Sequence, residues 1–258
     1  KRQVCAALFA VSGLICWCGI SQVISNSVSS AFENAFHVPP LATTVVLTLL
    51  AALIVLRKNA TVKSLDFIVP VMAVCYFVIT VGIVVLNLRQ LPAVLARIFA
   101  EAFGLRQVAA GGFGAVLMNG VKRGLFSNEA GLGSTPHAHA LAKVERPQDQ
   151  GAVAILGVFV DTFVVLTLTG LVLITSGLIP QGMTGTSLTQ AAFSQAFGGF
   201  GPIFIAVCMF FFAFSTIIGW YFFGQSNFKA LFGEKLLPVY SIIVVAVSYT
   251  HLRAHETL

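Results

Sequence analysis

Long apolar blocks run along this chain, separated by short polar stretches. Val4 to Val28 is the first block, and HVPP at 37–40 ends it, because proline removes a helix hydrogen bond and restricts the residue before it. Leu41 to Leu56 is a second block, short for a bilayer and expected to extend or tilt. RKNATVK at 57–63 is a polar loop, and Phe67 to Leu88 is the third block. Residues 89–106 mix Arg89, Arg97, Glu101 and Arg106 with Leu, Val, Ile and Phe, the pattern of an amphipathic helix lying at an interface. Val108 to Leu125 follows, then a polar stretch at 123–140 and a second helical piece to Ala142. Ala152 to Ser176 is a clear span, IPQGMTGTS at 179–187 is turn chemistry, and Leu188 to Phe197 reads as a further surface helix. Ile203 to Phe232 is a long block, and Leu236 to Val247 begins one more. A bilayer core needs about 20 apolar residues per helix, so the pattern predicts an all-α polytopic membrane protein in one transmembrane domain over 1–248.

Composition strengthens that reading. The 258 residues are 57% hydrophobic and 9% charged, with a mean hydropathy of +0.93, whereas a soluble domain carries roughly a quarter charged residues. A net charge of +6 in a soluble protein would point to nucleic acid. Here the basic residues sit in short loops, so the expected partner is the lipid bilayer and no nucleic acid. Lys1 with Arg2, Arg57 with Lys58 and Lys63, Lys143 with Arg146, and Lys229 with Lys235 alternate with weakly charged loops at 29–40 and 177–187. The positive-inside rule puts the basic set in the cytoplasm, as in a multi-pass protein of a bacterial inner membrane. The arginines of 89–106 are the one dissent. Cys5, Cys16, Cys18, Cys75 and Cys208 lie in apolar runs without metal-type spacing and read as small fillers. The terminal SYTHLRAHETL breaks the last block abruptly, and 249–258 reads as a non-native tail.

The stretch RGLFSNEAGLGSTPHAHA at 123–140 carries the densest polar chemistry. Gly120, Gly124, Gly131 and Gly133 allow unwinding, and Ser127, Asn128 and Glu129 supply polar atoms. Inside a bilayer, irregular backbone is tolerated only where it is buried or lines a cavity. An interrupted helix exposes N–H groups that attract a carboxylate and carbonyls that attract a cation, which suits a zwitterion carried with Na⁺. A cytoplasmic loop leading to a helix N-capped by Ser127 or Asn128 explains the same residues, and the sequence alone does not choose.

Other positions carry paired readings too. Ser215 and Thr216 in FAFSTIIGW offer hard oxygen ligands for Na⁺, or they bond back to their own helix carbonyls. Asp161 lies about 15 Å into its span at 1.5 Å per residue, where a carboxylate is functional by default. It could pair with Lys122 or Arg123, contact a coupling ion, or bond between helices; Glu129 could equally partner Arg123. Asn26, within SQVISNSVSS, faces either a pathway or a close helix contact. His137 and His139 diverge on a helix and read as helix-end residues rather than metal ligands. Ser134 with His137 only faintly resembles a membrane-embedded hydrolase.

GVKRGLFSNEAGLGSTPHAHALAK resembles the signature of the alanine or glycine:cation symporter family. The likeness continues through SNSV at 25–28, FIVPVMAVCYF at 67–77, NLRQLPAVLARIFAEAF at 87–103, GVFVDT at 157–162 and FAFSTIIGW at 212–220. It implies an inverted five-helix-repeat (LeuT-like) transporter core, of which this chain resembles core helices three to eight and the start of nine. Implied with it is sodium-coupled symport of alanine or glycine by alternating access, with proton coupling as the alternative. No enzyme activity is expected, and no cofactor other than Na⁺ as the coupling ion. Implied substrate contacts are Phe126, Ser127, Asn128, Gly131, Trp220 and Asn26, and implied sodium ligands are Ser215 and Thr216. Asp161 and Glu129 stay without a fixed role. Family members often carry Gln two residues before the asparagine, where this chain has Ile24, which leaves substrate choice open. Oligomeric state is not readable.

Overall fold

The computed structural model describes residues 2–56, 62–103, 112–129, 133–179 and 182–250. Among them every regular element is helical. α1 is Arg2–Phe36, α2 Pro40–Leu56, α3 Val62–Leu86, α4 Leu91–Phe103, α5 Gly112–Asn128 and α6 Thr135–His139. α7 (Pro147–Val158) passes through a π-helical segment (Phe159–Val165) into α8 (Leu166–Thr175). α9 is Gly185–Phe197, α10 Phe200–Phe232 and α11 Leu237–Thr250. Val4–Phe36, Val69–Leu86, Pro147–Thr175 and Phe200–Phe232 are long and apolar enough to cross a membrane, as a polytopic membrane protein requires. The tail beyond Thr250 and most of the 57–63 loop lie outside the described residues.

The elements depart from the sequence pattern in three places. α1 continues beyond Val28 to Phe36: Ser21 and Ser27 bond back to helix carbonyls, Ser29 and Asn34 bond to side chains of neighbouring elements, and none of them ends it. α5 runs unbroken through Gly120 and Gly124 to Asn128; glycine permits unwinding without imposing it. α9 is not a surface helix, since Leu188, Gln190, Ala192 and Phe193 are buried.

The chain forms two compact units, 1–76 with 183–258, and 77–182. In the first unit α1 lies along α10, α9 packs on α10, and α2 contacts α1 and α11. Val28, Leu47 and Ala213 form a core cluster with Ile24, Phe32, Met209 and Phe210 against it. Beside it, Ser29 and Thr44 share a buried 2.9 Å hydrogen bond that ties α1 to α2, so Ser29 serves close helix packing. Gln190 fixes α9: its Nε2 donates to Ala31 O at 2.8 Å and Pro202 O at 3.1 Å. Its Oε1 accepts from Asn34 at 3.1 Å. The α9–α10 turn is tight enough that a Cβ on Gly201 would stand 2.5 Å from the Phe193 backbone.

In the second unit α5 contacts the π segment, while α4 packs on α8 and more lightly on α5. α4 is the amphipathic helix expected from the pattern, with Arg97 paired to Glu101 at 2.6 Å on its exposed side. Asp161 sits fourteen residues from each end of Pro147–Thr175, at its midpoint.

Candidate functional site

Two polar clusters carry the expected chemistry, one in each unit. In the second unit α5 ends at Asn128, and Glu129 turns left-handed at φ 56°. A non-glycine residue there is uncommon and marks a strained turn. Gly133 is left-handed at φ 79°, and α6 starts at Thr135. The helix break is therefore present, but it begins after Asn128, later than the glycine spacing predicts. Ser127 and Asn128 close α5, so neither is an N-cap. The N-cap position of α6 belongs to Ser134, whose hydroxyl donates to the Glu129 carboxylate across the break. Gly131 lies outside the described residues.

Ser127 Oγ donates to Asp161 Oδ2 at 2.6 Å, and Asn128 Nδ2 to Thr162 Oγ1 at 3.4 Å. Asp161 is thus bonded between helices. It makes no ion pair with Lys122 or Arg123, nor does Glu129 with Arg123, among the described residues. Both basic side chains are exposed. The π segment sets this register: the Leu166 N–H reaches back five residues to Asp161 O. Such wide turns occur mostly as single insertions within α-helices, and frequently at functional sites. Phe126 is 55% exposed. His137 Nδ1 lies 3.2 Å from Gly133 O, and His139 Nδ1 is 2.5 Å from Gln150 Nε2, contacts fitting helix-end residues.

In the first unit Ser215 and Thr216 both donate to Phe212 O, at 2.9 and 2.7 Å. This is the local bonding common for hydroxyls in membrane helices, and each oxygen keeps lone pairs for another ligand. One turn on, buried Trp220 meets Trp17 at 5.6 Å and Phe223 at 5.7 Å between ring centroids. Trp220 lines a cavity of about 180 Å³ whose walls include Trp17, Ser21, Tyr221, Phe228 and Tyr240. Asn26 is half-buried on α1. Thr162 and Trp17 are the residues sequence reasoning missed. Thr162 stands beside an in-span aspartate, a readable signal, whereas Trp17 looks like any aromatic in an apolar block.

A family model described as "Sodium:alanine symporter family" matches residues 1–255. The chain belongs to the sodium:alanine symporter family. This is a family of symporters, not enzymes, and the hydrolase reading of Ser134 falls with it. "Amino-acid carrier protein AlsT" of Bacillus subtilis (strain 168) is 41% identical over 249 residues, 95% of this chain and 52% of that protein. "Sodium/alanine symporter AgcS" of Methanococcus maripaludis is 38% identical over 253 residues, 96% of this chain and 56% of that protein. "Sodium/proton-dependent alanine carrier protein" of Bacillus sp. (strain PS3) is 37% identical over 223 residues, 80% of this chain and 50% of that protein. The chain spans about half the length of the curated relatives it matches.

Proposed function

We propose that the protein carrying this chain is a secondary transporter that couples inward Na⁺ flow to uptake of a small neutral amino acid, alanine or glycine. The observation that carries the reading is the end of α5 at Asn128, beside Ser127, with left-handed backbone at Glu129 and at Gly133 before α6, in a chain of this family. Freed backbone groups at such a break can meet both charges of a zwitterion. Asn128 and the neighbouring backbone, Ser127 and Gly131 included, then bind the substrate beside Phe126; Trp220 and Asn26 are assigned separately, as a wall residue and a pathway residue of the first unit. Ser215 and Thr216 ligate Na⁺ through oxygen atoms that keep free lone pairs. Transport follows alternating access, one group of helices rocking against another, in a plasma membrane with the basic loops cytoplasmic.

Alanine uptake by the protein in proteoliposomes, with and without an inward Na⁺ gradient, tests this. Gradient-driven uptake is expected, and Thr216→Ala and Asn128→Ala should each lower it at least about tenfold, the equivalent of 1.4 kcal/mol. Uptake indifferent to Na⁺ but driven by a pH gradient would move the coupling to protons, an alternative that the name of the Bacillus sp. relative, a sodium/proton-dependent carrier, keeps in view. Uptake driven by neither gradient would sink the symporter.

A further inference from the structure

Asp161 is a carboxylate at the midpoint of an apolar helix, and no Lys or Arg pairs with it among the described residues. Charge at that depth is costly unless something positive neutralises it. What the fold brings to Asp161 is more oxygen. Ser127 Oγ stands 2.6 Å from Oδ2, and Thr162 Oγ1 stands 3.4 Å from the same atom. Asn128 Nδ2 is 3.4 Å from Thr162 Oγ1. A half-turn of that amide offers Oδ1 instead, since the two ends of an asparagine amide exchange places.

We propose that Asp161, Ser127 and Thr162 form a Na⁺ site distinct from the Ser215–Thr216 pair; the proposal rests on the symporter reading above. A carboxylate with two hydroxyls is a hard-oxygen set, the kind that hard cations take. Oxygens about 2.4 Å from a hard cation of this size stand about 3.4 Å apart when they subtend a right angle. Thr162 and Asp161 already have that spacing. Ser127 joins them by turning a lone pair, in place of its proton, toward the ion.

The π segment gives the site its register. Each helix residue advances about 100° around the axis, so removing the one inserted residue would swing Asp161 and Thr162 away from α5. The ion would also hold the end of α5, where the break begins one residue after Asn128. Cation binding and substrate binding are then linked through one helix end, and each raises the affinity of the other.

The test measures radioactive sodium bound at equilibrium to the purified protein, with alanine absent and present. Wild type is compared with Asp161→Asn, Ser127→Ala, Thr216→Ala and the Asp161→Asn/Thr216→Ala double variant. Asp161→Asn keeps the side-chain shape and an acceptor for Ser127. Ser127→Ala leaves the charge in place and guards against a folding artefact, and monodispersity with an unchanged melting temperature checks both. Asp161→Asn and Thr216→Ala should each lose one bound ion, and the double variant should lose both. Ser127→Ala should weaken one site by about tenfold. Asp161→Asn binding as much sodium as wild type, at the same concentrations, overturns the second site. Thr216→Ala losing its ion in that experiment would leave the symporter reading intact. Wild type binding no sodium at all overturns both. Unchanged sodium binding with loss of pH-driven uptake in Asp161→Asn assigns the carboxylate to a proton and overturns the site.

Discussion

Single side chains decide how closely these helices approach, and Gly224 is the sharpest case. A Cβ built there would lie 1.9 Å from the Tyr240 hydroxyl and 2.9 Å from Cζ. Tyr240 has little room to withdraw. Its hydroxyl donates to Tyr221 O at 3.3 Å, and its ring packs on Tyr221 and Phe228 at 5.5 and 5.1 Å. Gly224→Ala should destabilise the protein by about 1–3 kcal/mol, the usual range for overpacking. The read-out is the thermal midpoint in detergent. Adding Tyr240→Phe removes the nearest atom and should recover part of the loss; no loss in Gly224→Ala would show that α10 and α11 sit farther apart. Nothing in the sequence marks this glycine, because its constraint comes from a tyrosine sixteen residues away on another helix. Asp161 shows the same limit more mildly. Its depth marks it as a candidate on sight, but the choice between Lys122, Arg123 and Ser127 is tertiary. Ser127 wins because the last turn of α5 meets the π segment.

Among the elements, those with long apolar runs were legible and those with mixed character were not. α10 and the helix over Pro147–Thr175 follow from hydropathy alone, within a few residues. α9 does not, because Thr186, Thr189, Gln190 and Ser194 make its sequence look solvated. The burial of Gln190 depends on acceptors in α1 and α10 that no local pattern reveals. The π segment is equally silent, since one inserted residue leaves the apolar run unchanged. A test at this scale contrasts two α9 side chains. Gln190→Ala removes bonds to Ala31 O and Pro202 O and leaves Asn34 with Ser187 as its remaining acceptor, so it should cost about 2–3 kcal/mol, as when buried polar groups lose their partner. Thr189→Ala removes only an exposed 3.2 Å bond to Gly185 O within its own helix and should stay within about 0.5 kcal/mol of wild type. Equal thermal midpoints for the two variants would mean that α9 is not pinned through Gln190.

At the scale of the whole molecule the surface itself argues for a bilayer. Ile15, Phe67 and Phe163 remain 71%, 73% and 65% exposed, where water would penalise them and hydrocarbon does not. α10 has 33 residues, about 50 Å at 1.5 Å per residue, against a hydrocarbon core of about 30 Å. Its two ends therefore emerge on opposite sides. Lys229 in its last turn and Lys235 just beyond it are basic, and the loop before α9 carries no charge, so under the positive-inside rule residue 235 is expected in the cytoplasm and residue 184 outside. The objection comes from the arginines of 89–106. That segment is amphipathic, with Arg97 and Glu101 paired on the exposed side of α4, and the four other basic stretches outvote it. Cysteine labelling decides the matter. In a background with the five native cysteines replaced, Thr184→Cys should react with a membrane-impermeant maleimide on intact cells. Lys235→Cys should react only after the cells are opened. The reverse pattern would invert the topology and, with it, the direction of the proposed transport.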